Sequence, residues 1–274
     1  MCDVVSCGSH DASKPAIPVT DEQRRAFLRG MITLPLAVVL AHPMLAKAAG
    51  EKLSSVTVKT ASGGTGMGVV AMPAKTPAPA VLLIHEWWGL NDQIKAVAAE
   101  FANEGYVALA VDLYGGKVGT SRDEAMALVK SLDAAKAREE LVAWINWLRQ
   151  HQASTGKIGT VGWCFGGGWS LNASLAAPVD ATVIYYGTVK KTAEDLKSLQ
   201  SPVLGHFGTM DKSINAEMVG GFEKAMAEAG KTDLTVHWYE ADHAFANPTG
   251  SRYDAEDAKL AWSRTLAFFK QHLS

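Results

Sequence analysis

Short apolar runs alternate with longer amphipathic stretches from about residue 80 to the carboxyl terminus. Residues 80–85, 107–112, 158–162, 181–186, 202–207 and 234–239 are apolar runs of strand length. Such runs suit the interior of a parallel sheet covered on both faces. Between them, residues 93–103, 122–132, 134–151, 167–176, 215–229 and 254–272 place apolar side chains at helical spacing. Ahead of this pattern, residues 54–60 and 66–72 flank a Gly-rich turn, which predicts a hairpin. Residues 73–79, rich in Pro and Ala, form a loop. Alternating strands and helices with short connections predict an α/β fold, a three-layer α/β/α sandwich with a mostly parallel central sheet. No repeat or second domain interrupts it, so residues 49–274 are expected to form a single domain.

Residues 1–48 follow a different pattern. Arg24-Arg25-Ala26-Phe27-Leu28-Arg29-Gly30 precedes an apolar stretch, residues 31–45, too short for a comfortable membrane span. Ala46-Lys47-Ala48 then offers small residues at the two positions read by a signal peptidase. The paired arginines followed by Phe-Leu resemble a twin-arginine export signal. That resemblance implies transient engagement of the twin-arginine machinery and export as a folded chain. Cleavage near Ala48 is then expected to leave a periplasmic or secreted protein without stable membrane association.

Composition narrows the function classes. The 274 residues carry a formal charge of −2 without a basic stripe, which argues against a nucleic-acid partner. Of three cysteines, Cys2 and Cys7 fall in the leader, leaving Cys164 alone in the body. No Cys/His spacing points to a metal, and no cofactor is expected.

Cys164 lies in Gly162-Trp163-Cys164-Phe165-Gly166-Gly167, directly after a predicted strand and at the start of a predicted helix. This is the nucleophile-elbow arrangement of α/β-hydrolases, with cysteine in place of the commoner serine. The helix amino terminus favours a thiolate, and the Phe165 amide is placed to bind an oxyanion. Acid and histidine follow the nucleophile in that fold. Asp211 comes just after the strand at 202–207, and His243 just after the strand at 234–239. Rivals exist. Asp242 is beside His243, though adjacency makes a side-chain bond awkward. His206 and His237 fall within strands, and Asp112 has the setting of a turn anchor. His85 ends a strand beside Glu86 and stays open.

Five blocks together resemble the dienelactone hydrolase (carboxymethylenebutenolidase) family: His85-Glu86-Trp87-Trp88-Gly89, Asp112-Leu113-Tyr114-Gly115-Gly116, the Cys164 elbow, Asp211, and His243-Ala244-Phe245-Ala246-Asn247. The resemblance spans roughly Ser54 to the carboxyl terminus. It implies a hydrolase for small esters or lactones that works through a Cys164, His243, Asp211 triad and a thioester. It further implies that Glu86 helps generate the thiolate, and that the amides of Trp87 and Phe165 form the oxyanion hole. Trp88, Tyr114, Tyr186 and Phe245 are expected to line an aromatic substrate pocket. The family's arginine four residues after the catalytic histidine is Asn247 here, and a neutral amide cannot make the bidentate contact of a guanidinium. Arg122 lies in the region of another carboxylate-binding arginine, on a helix with no motif to fix its register. A broader carboxylesterase or thioesterase, or a non-catalytic thiol protein, are the competing expectations.

Overall fold

The computed structural model describes residues 17–274; Cys2, Cys7 and the first part of the predicted leader lie outside them. Eight strands form one sheet: β1 (Ser54–Lys59), β2 (Thr65–Ala71), β3 (Ala78–Ile84), β4 (Val107–Asp112), β5 (Ser154–Trp163), β6 (Ala181–Tyr185), β7 (Val203–Gly208) and β8 (Leu234–Tyr239). Their spatial order is β1-β2-β4-β3-β5-β6-β7-β8. The predicted hairpin is antiparallel, and β2 also meets β4 antiparallel. Every other pairing is parallel.

Side-chain alternation in the central strands divides the core between the two faces. Val81 and Leu83 of β3 face one way, packing with Ile94 and Phe101 of α4 (Asp92–Asn103) and Phe269 of α10 (Ala255–Leu273). Ala80, Leu82 and Ile84 face the other, against Leu141, Trp144 and Leu148 of α6 (Ala134–Gln150). A third cluster joins β6 and β7 to Phe222 of α9 (Ala216–Glu228). Both faces are thus covered, which is why these strands read as unbroken apolar runs. Side chains fix the helix starts: Asn91 accepts the Ile94 amide at 3.1 Å, and Ser121 with Glu124 forms a capping box on α5 (Arg122–Ser131).

The order of β4, β3 and β5 decides where a ligand can sit. From β3 the chain moves outward to β4, then returns to place β5 on the opposite side of β3. Loops leaving the carboxyl ends of β3 and β5 therefore diverge, opening a crevice at this switch point.

Four elements lie outside the predicted set of strands and helices of the body. α8 (Ala193–Leu196) is one turn long. α2 (Leu36–Ala41) and α3 (Pro43–Gly50) follow α1 (Asp21–Leu28) within the predicted leader. In the intact chain this segment is folded onto the body: Val39, Leu40, Leu45 and Ala46 are buried in the same cluster as Ile94 and Val97 of α4. Among the described residues, no helix is long and apolar enough to cross a membrane.

Candidate active site

Five strand ends deliver the chemistry-bearing residues to one edge of the sheet. Glu86 follows β3, Cys164 follows β5, Tyr186 follows β6, Asp211 follows β7 and His243 follows β8.

Cys164 sits between β5 and α7 (Phe165–Ala176) with φ +53° and ψ −116°, a conformation that costs an L-residue energy. Its amide donates to the Tyr185 carbonyl at 3.0 Å, and its carbonyl accepts from Gly167 at 3.0 Å. The turn closes only because its flanks lack side chains. A Cβ at Gly162 would run into the Gly166 carbonyl, and one at Gly166 into the Ile84 carbonyl. The result presents a buried thiol at the amino terminus of α7, where the helix dipole favours an anion. The Phe165 amide opens α7 and so has no intrahelical acceptor. Tyr186 (φ +36°) and Ala244 (φ +64°) are the remaining non-glycine residues with positive φ among those described. All three lie at this edge of the sheet.

His243 is fully buried, and its Nδ1 donates to Asp211 Oδ2 at 2.6 Å. Burial alone pushes the Asp211 carboxyl up. The bonds from His243 and from the Ile214 and Ser213 amides, at 2.9 and 2.8 Å, outweigh that and hold it below the usual carboxylate range. Asp242, the rival acid, instead accepts the backbone amide of His243 and approaches Arg252 at 3.6 Å. The ring of Tyr186 covers His243 with centroids 5.2 Å apart, and Phe245, also fully buried, supports Tyr186 at 5.4 Å.

His85 has a different task. Its Nδ1 donates to the Glu86 carbonyl at 2.6 Å, and its Nε2 accepts the Leu113 amide at 3.2 Å. Burial holds it below the ordinary imidazole value. A neutral ring thus ties the loop after β3 to the end of β4, and fixes the backbone that carries Glu86. Asp112 anchors the next turn by accepting the Tyr114 amide at 3.0 Å and the Gly116 amide.

Glu86 is buried and accepts from Asn247 Nδ2 at 2.9 Å. Asn247 is itself oriented by Thr249, whose amide and hydroxyl donate to Oδ1 at 3.0 and 2.8 Å. Gln93 of α4 donates to the Thr249 hydroxyl at 2.9 Å. This chain from α4 to Glu86 has no sequence signature, because Gln93 and Thr249 lie 156 residues apart.

The predicted aromatic residues take distinct places. Trp88 is half-buried and meets the buried Trp87 edge-on at 4.8 Å. Tyr114 is buried between His85 and Phe165, at 4.7 and 5.7 Å, and burial, with Cys164 nearby, pushes the phenol up. Tyr186 and Asn247 line a small cavity with Glu86, Trp163, Ile94 and Val97. Trp163 was not singled out in the sequence; it stacks on Tyr185 at 5.4 Å. Arg122 is exposed at the start of α5 and does not line that cavity. Among the described residues, no group of three or more His, Cys, Asp or Glu is arranged to hold a metal ion.

Comparison with known proteins gives the chain both sequence relatives and structural neighbours. Carboxymethylenebutenolidase of Pseudomonas putida is 31% identical over 228 residues, covering 78% of this chain and 94% of that one. Protein usf of Aquifex pyrophilus is 34% identical over 220 residues, covering 76% and 94%. Among solved structures, a putative dienelactone hydrolase from Klebsiella pneumoniae superposes with TM-score 0.71 at 26% identity, covering 80% of this chain and 99% of that one. A dienelactone hydrolase-like promiscuous phosphotriesterase from metagenomic libraries gives 0.73 at 25% identity, covering 81% and 99%. The family model for the dienelactone hydrolases matches residues 67–273, from β2 to the last turn of α10, and the chain belongs to that family.

Proposed function

We propose that this protein hydrolyses small carboxylic esters or lactones, with Cys164 as nucleophile, His243 as base and Asp211 as the group that orients it. The observation that carries the reading is the 2.6 Å bond from buried His243 to Asp211, at the strand ends that also bear the strained Cys164 turn. A core histidine does not need a carboxylate held low by three donors, whereas a histidine that carries a proton during a reaction does.

In this reading the Cys164 thiol gives its proton to Glu86, which passes it to His243, and the thiolate sulfur attacks the substrate carbonyl. The amides of Trp87 and Phe165 receive the oxyanion. Collapse breaks the carbon–oxygen bond of the ester, and the departing alkoxide takes a proton from His243. A thioester remains. Water, losing its proton to His243, attacks the thioester and releases the carboxylic acid, and the sulfur leaves as thiolate. Asn247 orients the Glu86 carboxylate through Oε2 without bringing a full positive charge. We further propose that residues 1–48 are an export leader removed near Ala48, which amino-terminal sequencing of the exported protein tests.

The decisive experiment combines alkylation and substitution. Iodoacetamide modification of Cys164, followed by peptide mass, is expected to remove hydrolysis of p-nitrophenyl esters in proportion to labelling. Cys164→Ser should retain only weak activity, because serine demands a stronger base than a thiol. Hydrolysis that survives complete alkylation of Cys164 overturns the assignment.

A further inference from the structure

The cavity beside Glu86 measures about 30 Å³. That is room for one or two water molecules. An ester or lactone is larger than this space as it stands.

One wall is not part of the sheet's own loops. Leu40, from α2, is buried in this cavity with Glu86, Trp163, Tyr186 and Asn247. Leu40 also lines a second, larger space of about 510 Å³, bounded by Pro35, Leu36 and Val38 together with Tyr185 and Trp262. Leu40, Val97, Trp163, Ala246 and Pro248 line both spaces. Leu40 alone of these five comes from the amino-terminal segment. Swinging it away joins the two, and the combined volume falls in the range of small-molecule pockets, about 300–1,000 Å³.

The lining also states which chemistry fits. The cavity beside Glu86 is lined by Ile94, Val97, Trp163, Tyr186 and Ala246 next to Glu86, Gln93 and Asn247, with no Lys or Arg; Lys259 lies only on the wall of the larger space. A substrate carboxylate would find no cation there, and desolvating it would be costly. An alkyl or aryl group would bury apolar area against the same side chains that now hold Leu40.

We propose that the amino-terminal segment is an internal cover, in which Leu40 occupies the subsite for an uncharged, apolar group of the ester or lactone substrate. The proposal rests on the hydrolase reading above and names its substrate class. While the cover is seated, the site is latent toward bulky substrates. Displacement of residues 36–50 from α4 opens it in the intact chain, and removal of the leader proposed above would open it permanently.

Two variants of the full chain test this. Leu40→Asp puts a second buried carboxylate beside Glu86 and among apolar side chains, so the segment should leave α4; Leu40→Ala vacates the subsite without that penalty. Two readings are taken for each: kcat/KM for p-nitrophenyl octanoate against acetate, and the rate of Cys164 alkylation by N-phenylmaleimide, followed by peptide mass. Leu40→Asp is expected to raise the octanoate-to-acetate ratio and the alkylation rate by about 10-fold or more. Leu40→Ala should move both in the same direction by less. Unchanged ratios and alkylation rates in both folded variants overturn the cover. Faster alkylation with no ester hydrolysed by any variant would instead leave the cover standing and refute the hydrolase reading.

Discussion

Two buried histidines, one inside β7 and one just beyond the neighbouring β8, have nearly the same exposure and opposite surroundings. His206, inside β7, bonds the Tyr239 hydroxyl at 2.7 Å through Nδ1 and the Thr265 hydroxyl at 3.0 Å through Nε2. Burial, with the nearby charges of His237 and Arg264, holds it well below the ordinary imidazole value. His243, two residues past the Ala241 that follows β8, bonds Asp211 instead. A proton added at His206 would meet positive charge in a dry setting, while one added at His243 would meet a carboxylate. Burial and polar partners are therefore not what sets the proposed base apart from a core histidine. The sign of the partner's charge is.

That contrast is broken most directly at His243. His243→Ala is expected to lower kcat/KM for small esters by about 10³-fold or more, since members of such a unit act together. Steady-state kinetics on the folded variant check this, and a loss under tenfold would place the base elsewhere. Asp211→Asn comes next. It keeps the shape but removes the charge that stabilises the imidazolium and fixes its tautomer, and a loss of about 10²-fold is expected. If this variant matches the wild type, another carboxylate orients His243, and the difference between the two histidines loses its cause.

The two histidines also show what a sequence can carry. Chain order separates them: one lies within an apolar run and the other just beyond one, and that alone places His243 at the sheet's ligand-binding edge. The limits of β4 and β8 read directly from their apolar runs, as 107–112 and 234–239. β5 begins four residues earlier than its apolar run because Ser154–Lys157 is polar and meets β3 only through an irregular register at Ala78. α8, at four residues, is too short to express a period. The segment at 36–50 carries an apolar pattern that suits a leader and a packed helix equally, and nothing local states which surface it will cover. At the site, elements of one loop were legible, while the path from Gln93 through Thr249 and Asn247 to Glu86 was not. Contacts between α4 and the loop after β8 exist only once the chain has folded.

That path gives a smaller effect. Asn247→Ala removes the donor to Glu86 Oε2, a bond to a charged acceptor worth about 1.5–3 kcal/mol, and should cost on the order of 10-fold or more in kcat/KM. The pH dependence of Cys164 alkylation should shift as well, because in the proposed mechanism Glu86 takes the thiol proton. Unchanged kinetics and an unchanged alkylation profile would show that Glu86 holds its place without Asn247.

The smallest effect on activity is expected at His206, and there the contrast is sharpest in stability. His206→Phe keeps the ring volume and should leave kcat/KM within about twofold, since no reacting group touches it. Tyr239 still receives Arg264 at 3.1 Å and Thr265 still pairs with Tyr185 at 2.7 Å, so the cost at neutral pH should be only about 1–2 kcal/mol. The pH dependence follows from the direction of the His206 shift. The unfolded chain protonates this imidazole as pH falls below about 6.5, whereas the folded chain resists doing so, and the unfolded state then binds more protons. Wild-type stability should accordingly decline as pH falls through that range, with the buried His85 adding to the slope in the same direction. In His206→Phe one of these contributions is gone, and the fall in Tm from pH 7 to pH 5.5 should be shallower. Equal slopes for the two proteins would mean that His206 takes up its proton in the folded state after all, and that hydroxyl partners can do for an imidazole what Asp211 does.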